Sequence, residues 1–205
     1  GYPVGLSDST RGIIAGGNDP GMSNVIQYIT IASTGNTSDF GDLIIGKGNC
    51  AACASPTRGI VFGGQRPSDA RDEIEYITIA TRGDSKDFGS LQNGSRQGAG
   101  FSNTTRGIHA GGITPTFYNV ISYITIATLG DATDFGDLSA GAGWQSSGAS
   151  STRGVMAGQY ASPGANNNVI EYVTIASTGN AADFGDMTVL LVGAGGLTDV
   201  HGGLG

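Results

Sequence analysis

One phrase occurs four times along the chain and constrains its fold more than any other feature. It opens with Arg-Gly, a short apolar run and glycine: RGIIAGG from Arg11, RGIVFGG from Arg58, RGIHAGG from Arg106 and RGVMAGQ from Arg153. It continues with Tyr-Ile-Thr-Ile-Ala from Tyr28, Tyr76 and Tyr123, and with Tyr-Val-Thr-Ile-Ala from Tyr172. It closes on Asp-Phe-Gly at Asp39, Asp87, Asp134 and Asp183. The arginines lie 47, 48 and 47 residues apart. A period in the forties, made of short β-prone runs between glycine turns, predicts one small antiparallel sheet per repeat, arranged radially. Such units bury their faces against their neighbours, so the 205 residues read as one continuous array. Full repeats fall at residues 1–45, 46–92, 93–139 and 140–188; residues 189–205 read as a partial copy or a ring-closing strand.

Glycine supplies 37 residues without a Gly-X-Y period, and recurs at fixed places in the phrase, so it marks turns and close backbone contacts. Only 13% of residues are charged against 38% hydrophobic, the balance of a folded chain rather than a disordered one. The net charge of −7 excludes a phosphate-tracking nucleic-acid binder, which needs clustered Lys and Arg. The most apolar stretch, residues 187–197, holds three glycines and is too short to cross a bilayer. The first residue is Gly, so the chain reads as processed, trimmed or a fragment.

Within the second repeat, residues 46–55 are small and predict an innermost strand where sheets crowd round an axis. A second strand follows at 60–64, a third at 74–80 and a fourth at 86–91. The third strand is apolar on both faces: Val25, Ile29 and Ile31 on one side in the first repeat, Ile26 and Tyr28 on the other. That pattern requires cover on both sides, which sheets stacked face to face supply. The hairpin after it always carries glycine then Asn or Asp, at Gly35, Gly83, Gly130 and Gly179.

Residues 24–43 and 168–187 agree at 15 of 20 positions, whereas the segment between the second and third strands changes from repeat to repeat. A constant frame with variable loops on one rim is how repeat scaffolds present a binding surface. The candidate partner-binding residues are therefore those the variable segments carry: Arg66, Arg71, Phe117, Tyr118 and Tyr160. Exposed aromatics stack sugars or grip protein partners. Trp144 falls near an innermost strand, where it could face a central channel.

The repeated residues read as structural. Phe40, Phe88, Phe135 and Phe184 pack between sheets, and Arg11, Arg58, Arg106 and Arg153 tie sheets together through carbonyls or the repeated aspartates. Asp39 with Asp42, Asp134 with Asp137 and Asp183 with Asp186 either guard an edge strand or offer oxygens to calcium; the edge reading is preferred. Cys50 and Cys53 form a lone CxxC with no second pair to complete a zinc site, and read as small buried residues. His109 and His201 are too isolated for a triad or a metal centre, so no catalytic residue, metal or cofactor is expected.

The Gly-Gly doublets at Gly16, Gly63 and Gly111, together with the third-strand tyrosines, resemble the kelch-type β-propeller repeat. Two departures stand out: Gly158-Gln159 replaces the fourth doublet, and Phe stands where that family has a fourth-strand tryptophan. The resemblance implies an all-β propeller of four-stranded antiparallel blades. The wording NVIxYITIASTGN followed by DFGDL also resembles repeats of marine bacteriophage virion and tail-associated proteins. It implies a non-enzymatic structural or host-adhesion role on a virion or outside the cell. The partners implied are other virion proteins or a host-surface glycan, with self-association left open. A secreted, multivalent carbohydrate-binding lectin is the alternative.

Overall fold

The computed structural model describes residues 2–18, 21–67, 69–161, 164–193 and 195–196. The described residues hold strands and turns and no helix. Sheet 1 consists of β1 (Val4–Ser7), β2 (Arg11–Ala15), β3 (Val25–Thr30) and β4 (Ser38–Asp42) in that order. Sheet 2 starts with β5 (Ala51–Ala54) and β6 (Arg58–Phe62). The two-residue β7 (Gln65–Arg66) folds onto the start of β8 (Asp69–Thr78), and β9 (Lys86–Ser95) closes the sheet. Sheet 3 is β10 (Ala99–Ser102), β11 (Arg106–Thr114), β12 (Thr116–Thr125) and β13 (Thr133–Asp137). After β14 (Ala142–Gly143) come β15 (Ser146–Ala149) and β16 (Arg153–Ala157). Then follow β17 (Tyr160–Ala161), β18 (Ala165–Asn166), β19 (Val169–Thr174) and β20 (Ala182–Asp186). Sheet 4 is β15-β16-β19-β20, and β14, β17 and β18 form a small sheet beside it. All strand pairings are antiparallel.

The sheets stack in chain order, with β1 against β5, β5 against β10 and β10 against β15. Three apolar clusters fill the three junctions. Between sheets 1 and 2, for instance, Ile13, Ile26 and Phe40 meet Val61, Ile77 and Ile79. Sheets 2 and 3 thereby have the two-sided cover expected of the third strands, whereas among the described residues sheets 1 and 4 are covered on one face.

The repeated phrase is the chemistry of the junction. In every sheet the pairing of third and fourth strands slips at the same place (sheet 2 has a second slip between Arg71 and Glu73): Ile26 opposes Gly41 and Gln27 opposes Asp39, so Phe40 is the extra residue of a β-bulge. The same slip isolates Phe88, Phe135 and Phe184. The bulge turns each phenylalanine out of the ladder. Its ring meets the tyrosine of the third strand edge to face, 6.0 Å between centroids in all four sheets. The arginine lies over the ring of that tyrosine, 4.4–5.1 Å from its centroid.

Arg11, Arg58 and Arg106 donate across the junction to the carbonyls of Ile79, Ile126 and Ile175, at 2.6, 2.8 and 3.0 Å. Of the two acceptors the sequence suggested, these three use the carbonyls, not the aspartates. The acidic and amide hairpin residues have another task. Asp84, Asp131 and Asn180 accept the N–H of Asp42, Ser90 and Asp137 from the preceding sheet, at 2.9, 2.9 and 3.0 Å. The glycine of Asp-Phe-Gly is set by proximity: a Cβ on Gly41, Gly89 or Gly136 would lie 2.4–2.5 Å from Gly83, Gly130 or Gly179 of the next hairpin. The glycine after each arginine is likewise a socket. Gly59 receives Leu6, Gly107 receives Cys53 and Gly154 receives the Phe101 ring from the preceding inner strand.

Among the described residues, the fourth member of each series has no sheet ahead of it. Phe40, Phe88 and Phe135 are each 2% exposed, whereas Phe184 is 53% exposed. It was expected to pack between sheets like the others, but here its ring is covered on one side only. Arg153 keeps its tyrosine, yet makes no bond across a junction among the described residues.

The inner strand of sheet 2 is shorter than residues 46–55, since residues 47–49 bridge to neighbouring loops: Gly17 donates to Lys47 and Gly48 to Gln65. In the tail, Leu191 stands under Gly158 as Ala142 stands under Gly111, so Gly193 corresponds to Trp144. His201 and its neighbours lie outside the described residues.

Candidate binding rim

The variable segments, the starts of the inner strands and the starts of the third strands meet at one end of the sheets. A main-chain ladder runs along that end. The N–H of Asn49 donates to Tyr2 (3.1 Å), Gln97 to Asn49 (2.9 Å), Trp144 to Gln97 (2.8 Å) and Gly193 to Trp144 (2.9 Å). Tyr2, Asn49, Gln97 and Trp144 all have φ between 55 and 66°, the left-handed region that a side chain rarely adopts. One ladder position per repeat therefore turns the chain outward, whatever residue stands there.

At the third and fourth repeats the ladder carries an aromatic trio. Phe117 at the start of β12, Trp144 before β15 and Tyr160 in β17 have centroids 6.1, 5.4 and 5.6 Å apart, with Trp144 and Tyr160 nearly perpendicular at 88°. All three rings are half-buried, so each supports the others and still presents a face. Gly143 sits beneath, and a side chain there would press on Ile113 and the Phe117 ring. Mutual packing of rings fixes them at low entropic cost, which suits them to stacking against a flat partner.

The five residues singled out from sequence divide. Phe117 and Tyr160 come together. Tyr118, next in the strand, turns inward: burial pushes its phenol up to about 12, partly offset by a hydrogen bond with Ser95. Arg71 is held along its own strand by Glu73, Nε to Oε2 at 3.0 Å with a second contact from the other guanidinium nitrogen. That partner's hydrogen bond raises the Arg71 pKa and lowers that of Glu73. Arg66 lies exposed on the β7–β8 hairpin of sheet 2, apart from the trio. Trp144, which from its place near an inner strand could have faced a channel, packs on the rim against Phe117 and Tyr160. Its ladder position recurs every 47 or 48 residues as Tyr, Asn, Gln and Trp, so no repeated letter marks it.

The inner strands of all four sheets line one cleft of about 360 Å³, walled by residues such as Gly5, Ala52, Gly100 and Ser147. Its polar groups are bound into the frame. Ser102 donates to Ala54 at 2.7 Å, Ser147 to Gly100 at 2.9 Å, and burial pushes the Cys53 thiol up to about 12. Cys50, outside the strand and half-buried, is likewise raised to about 11 by burial. His109 is fully packed, its Nε2 3.0 Å from the Ser95 hydroxyl and its ring beside Phe62, and burial lowers it to about 4. Among the described residues no three His, Cys, Asp or Glu side chains are grouped to hold a metal ion.

One buried charge pair stands out: Lys47 Nζ lies 2.8 Å from Glu75 Oε1, with both side chains 1–2% exposed. Its angle is poor for a hydrogen bond, so the contact is chiefly a charge contact. Glu75 also accepts from the Ile44 N–H and the Ser85 hydroxyl, which satisfies its other oxygen across the sheet 1–sheet 2 junction. Comparison with protein-family models gives no match, and neither does comparison with curated proteins.

Proposed function

We propose that the chain is a non-enzymatic binding protein, a virion-associated structural or host-adhesion component that meets its partner through the rim. The observation that carries this reading is the trio Phe117, Trp144 and Tyr160, a fixed aromatic surface in which two rings come from the segments that differ between repeats and the third from the ladder. The kelch-type propeller is the finer fold reading that goes with it. Support comes from inner strands of four successive sheets lining one cleft, and from small residues where they crowd. Partners of this class are other virion proteins or a host-surface glycan, met on a particle or outside the cell. A carbohydrate-binding lectin is the second reading, favoured by ring faces that can stack on the apolar face of a sugar.

Phe117→Ser combined with Trp144→Ser tests both readings. Binding to an immobilised glycan panel and to purified particles is measured beside the melting temperature. Loss of binding of about tenfold or more with melting shifted only slightly supports the rim; unchanged binding refutes it. Capture by glycans alone favours the lectin, and capture by particles alone the virion component.

A further inference from the structure

We infer that this chain binds a second copy of itself head to tail, the outer face of sheet 4 against the open face of sheet 1. The interface is already drawn three times inside the molecule, so its requirements are known. A phenylalanine at a bulge needs an apolar third strand opposite it. An arginine needs a carbonyl, an outer-strand glycine needs a close hairpin, and an outer-strand N–H needs a hairpin Asp or Asn.

Sheet 4 presents the first half of each pair without its second half. Phe184 is half in water and Arg153 lies exposed. A Cβ on Gly185 would meet nothing within 4 Å, where its three equivalents press on a hairpin. Sheet 1 presents the second halves. Ile29 and Ile31 are 38% and 52% exposed where Ile77 and Ile79 are 3% and 0%. The Ile31 carbonyl is the equivalent of those that receive Arg11, Arg58 and Arg106. Asn36 stands where Asp84, Asp131 and Asn180 accept across the junction. Gly12, the socket of sheet 1, meets only its own Ile29. One contact between copies therefore completes both ends.

The inner edge takes a lesser part. Gly148 stands where Leu6, Cys53 and Phe101 supply the knobs, and Gly196 lies against Ser147 on ground that an incoming β1 needs. Docking displaces that short segment and rests on the outer three strands. The surfaces in contact are different on the two partners, so the association is heterologous, and two copies close it when each end meets the other's opposite end.

Sedimentation across a range of concentrations tests this on the full chain. The unsubstituted protein should move from the mass of one chain to the mass of two as concentration rises. Phe184→Ser and Ile31→Ser should each weaken association at least tenfold while lowering the melting of the dilute protein only slightly, since about half of each side chain is already exposed. Mixing the two variants should restore part of the association, because the mixed pair contains one junction with neither substitution. A chain that stays single at every concentration overturns the inference. So does an association that ignores either substitution, or a mixture no stronger than its components.

Discussion

Phe135 and Phe184 occupy the same bulge of the same motif, meet their tyrosines at the same 6.0 Å, and differ in having a sheet in front of them. Replacing each with alanine isolates what junction packing contributes. Phe135, 2% exposed, touches the apolar filling between sheets 3 and 4, where its removal leaves a cavity bounded by rigid strands. A truncation of that kind costs about 3–5 kcal/mol. Phe184, 53% exposed, has roughly half of a phenylalanine's apolar area to lose. At the usual 1.5–3 kcal/mol for full burial, its loss should cost about 1 kcal/mol. The tyrosine contact is common to both and cancels, so a difference of about 2–4 kcal/mol belongs to the sheet-to-sheet junction. Urea unfolding followed by intrinsic fluorescence, at a concentration where the chain sediments as one copy, gives both values. The slope against urea must stay constant for the two shifts to be compared. Equal costs would refute the reasoning, for they would mean that sheet 4 is as covered in solution as sheet 3.

Two further outcomes are expected. His109 is held neutral by burial, from 6.5 to about 4, so the unfolded chain binds the extra proton first as pH falls. The His109 contribution to stability should be constant above about pH 6.5 and decline between there and pH 4, by at most about 3 kcal/mol, and His109→Met should remove that part of the slope in paired urea titrations. Gly154→Ala would bring a Cβ to 2.0 Å from the Phe101 ring, whereas Gly12→Ala meets nothing beyond its own Ile29 at 3.1 Å. The first should destabilise the monomer by about 1–3 kcal/mol and the second should stay within roughly 0.5 kcal/mol, read from melting in dilute solution.

The period and the two-sided third strand made the sheets legible, because a repeat that buries its faces on its neighbours must write the same apolar pattern each time. The roles inside Asp-Phe-Gly were less so. Phenylalanine announced burial, but the bulge that aims it and the hairpin that presses on its glycine depend on the next sheet, 40-odd residues away. Phe184 shows the limit plainly, for an identical motif is buried or exposed according to what stands beside it. At the rim, composition pointed to Phe117 and Tyr160 and passed over Trp144. The tryptophan's place is set by a backbone angle, and side-chain identity leaves no periodic trace of it. Tyr118 was indistinguishable from Phe117 in sequence, since which of two adjacent strand residues faces outward is decided by register.

The rungs Tyr2, Asn49, Gln97 and Trp144 are joined to one another through main-chain atoms, and side-chain contacts such as Asn49 Nδ2 to Gln65 Oε1 at 3.0 Å lie outside those rung-to-rung bonds. Its geometry is thus indifferent to the letter that each rung carries, and phenol, amide and indole already occupy successive rungs at a fixed interval. Folding and recognition are under separate control there: the peptide units keep the spacing, and the side chains remain free to be exchanged. A lineage carrying such a rim could change what it adheres to through single substitutions at these rungs, leaving the junction chemistry untouched. Relatives adapted to different surfaces should then differ first at these positions, with their arginines, bulges and hairpins still in step.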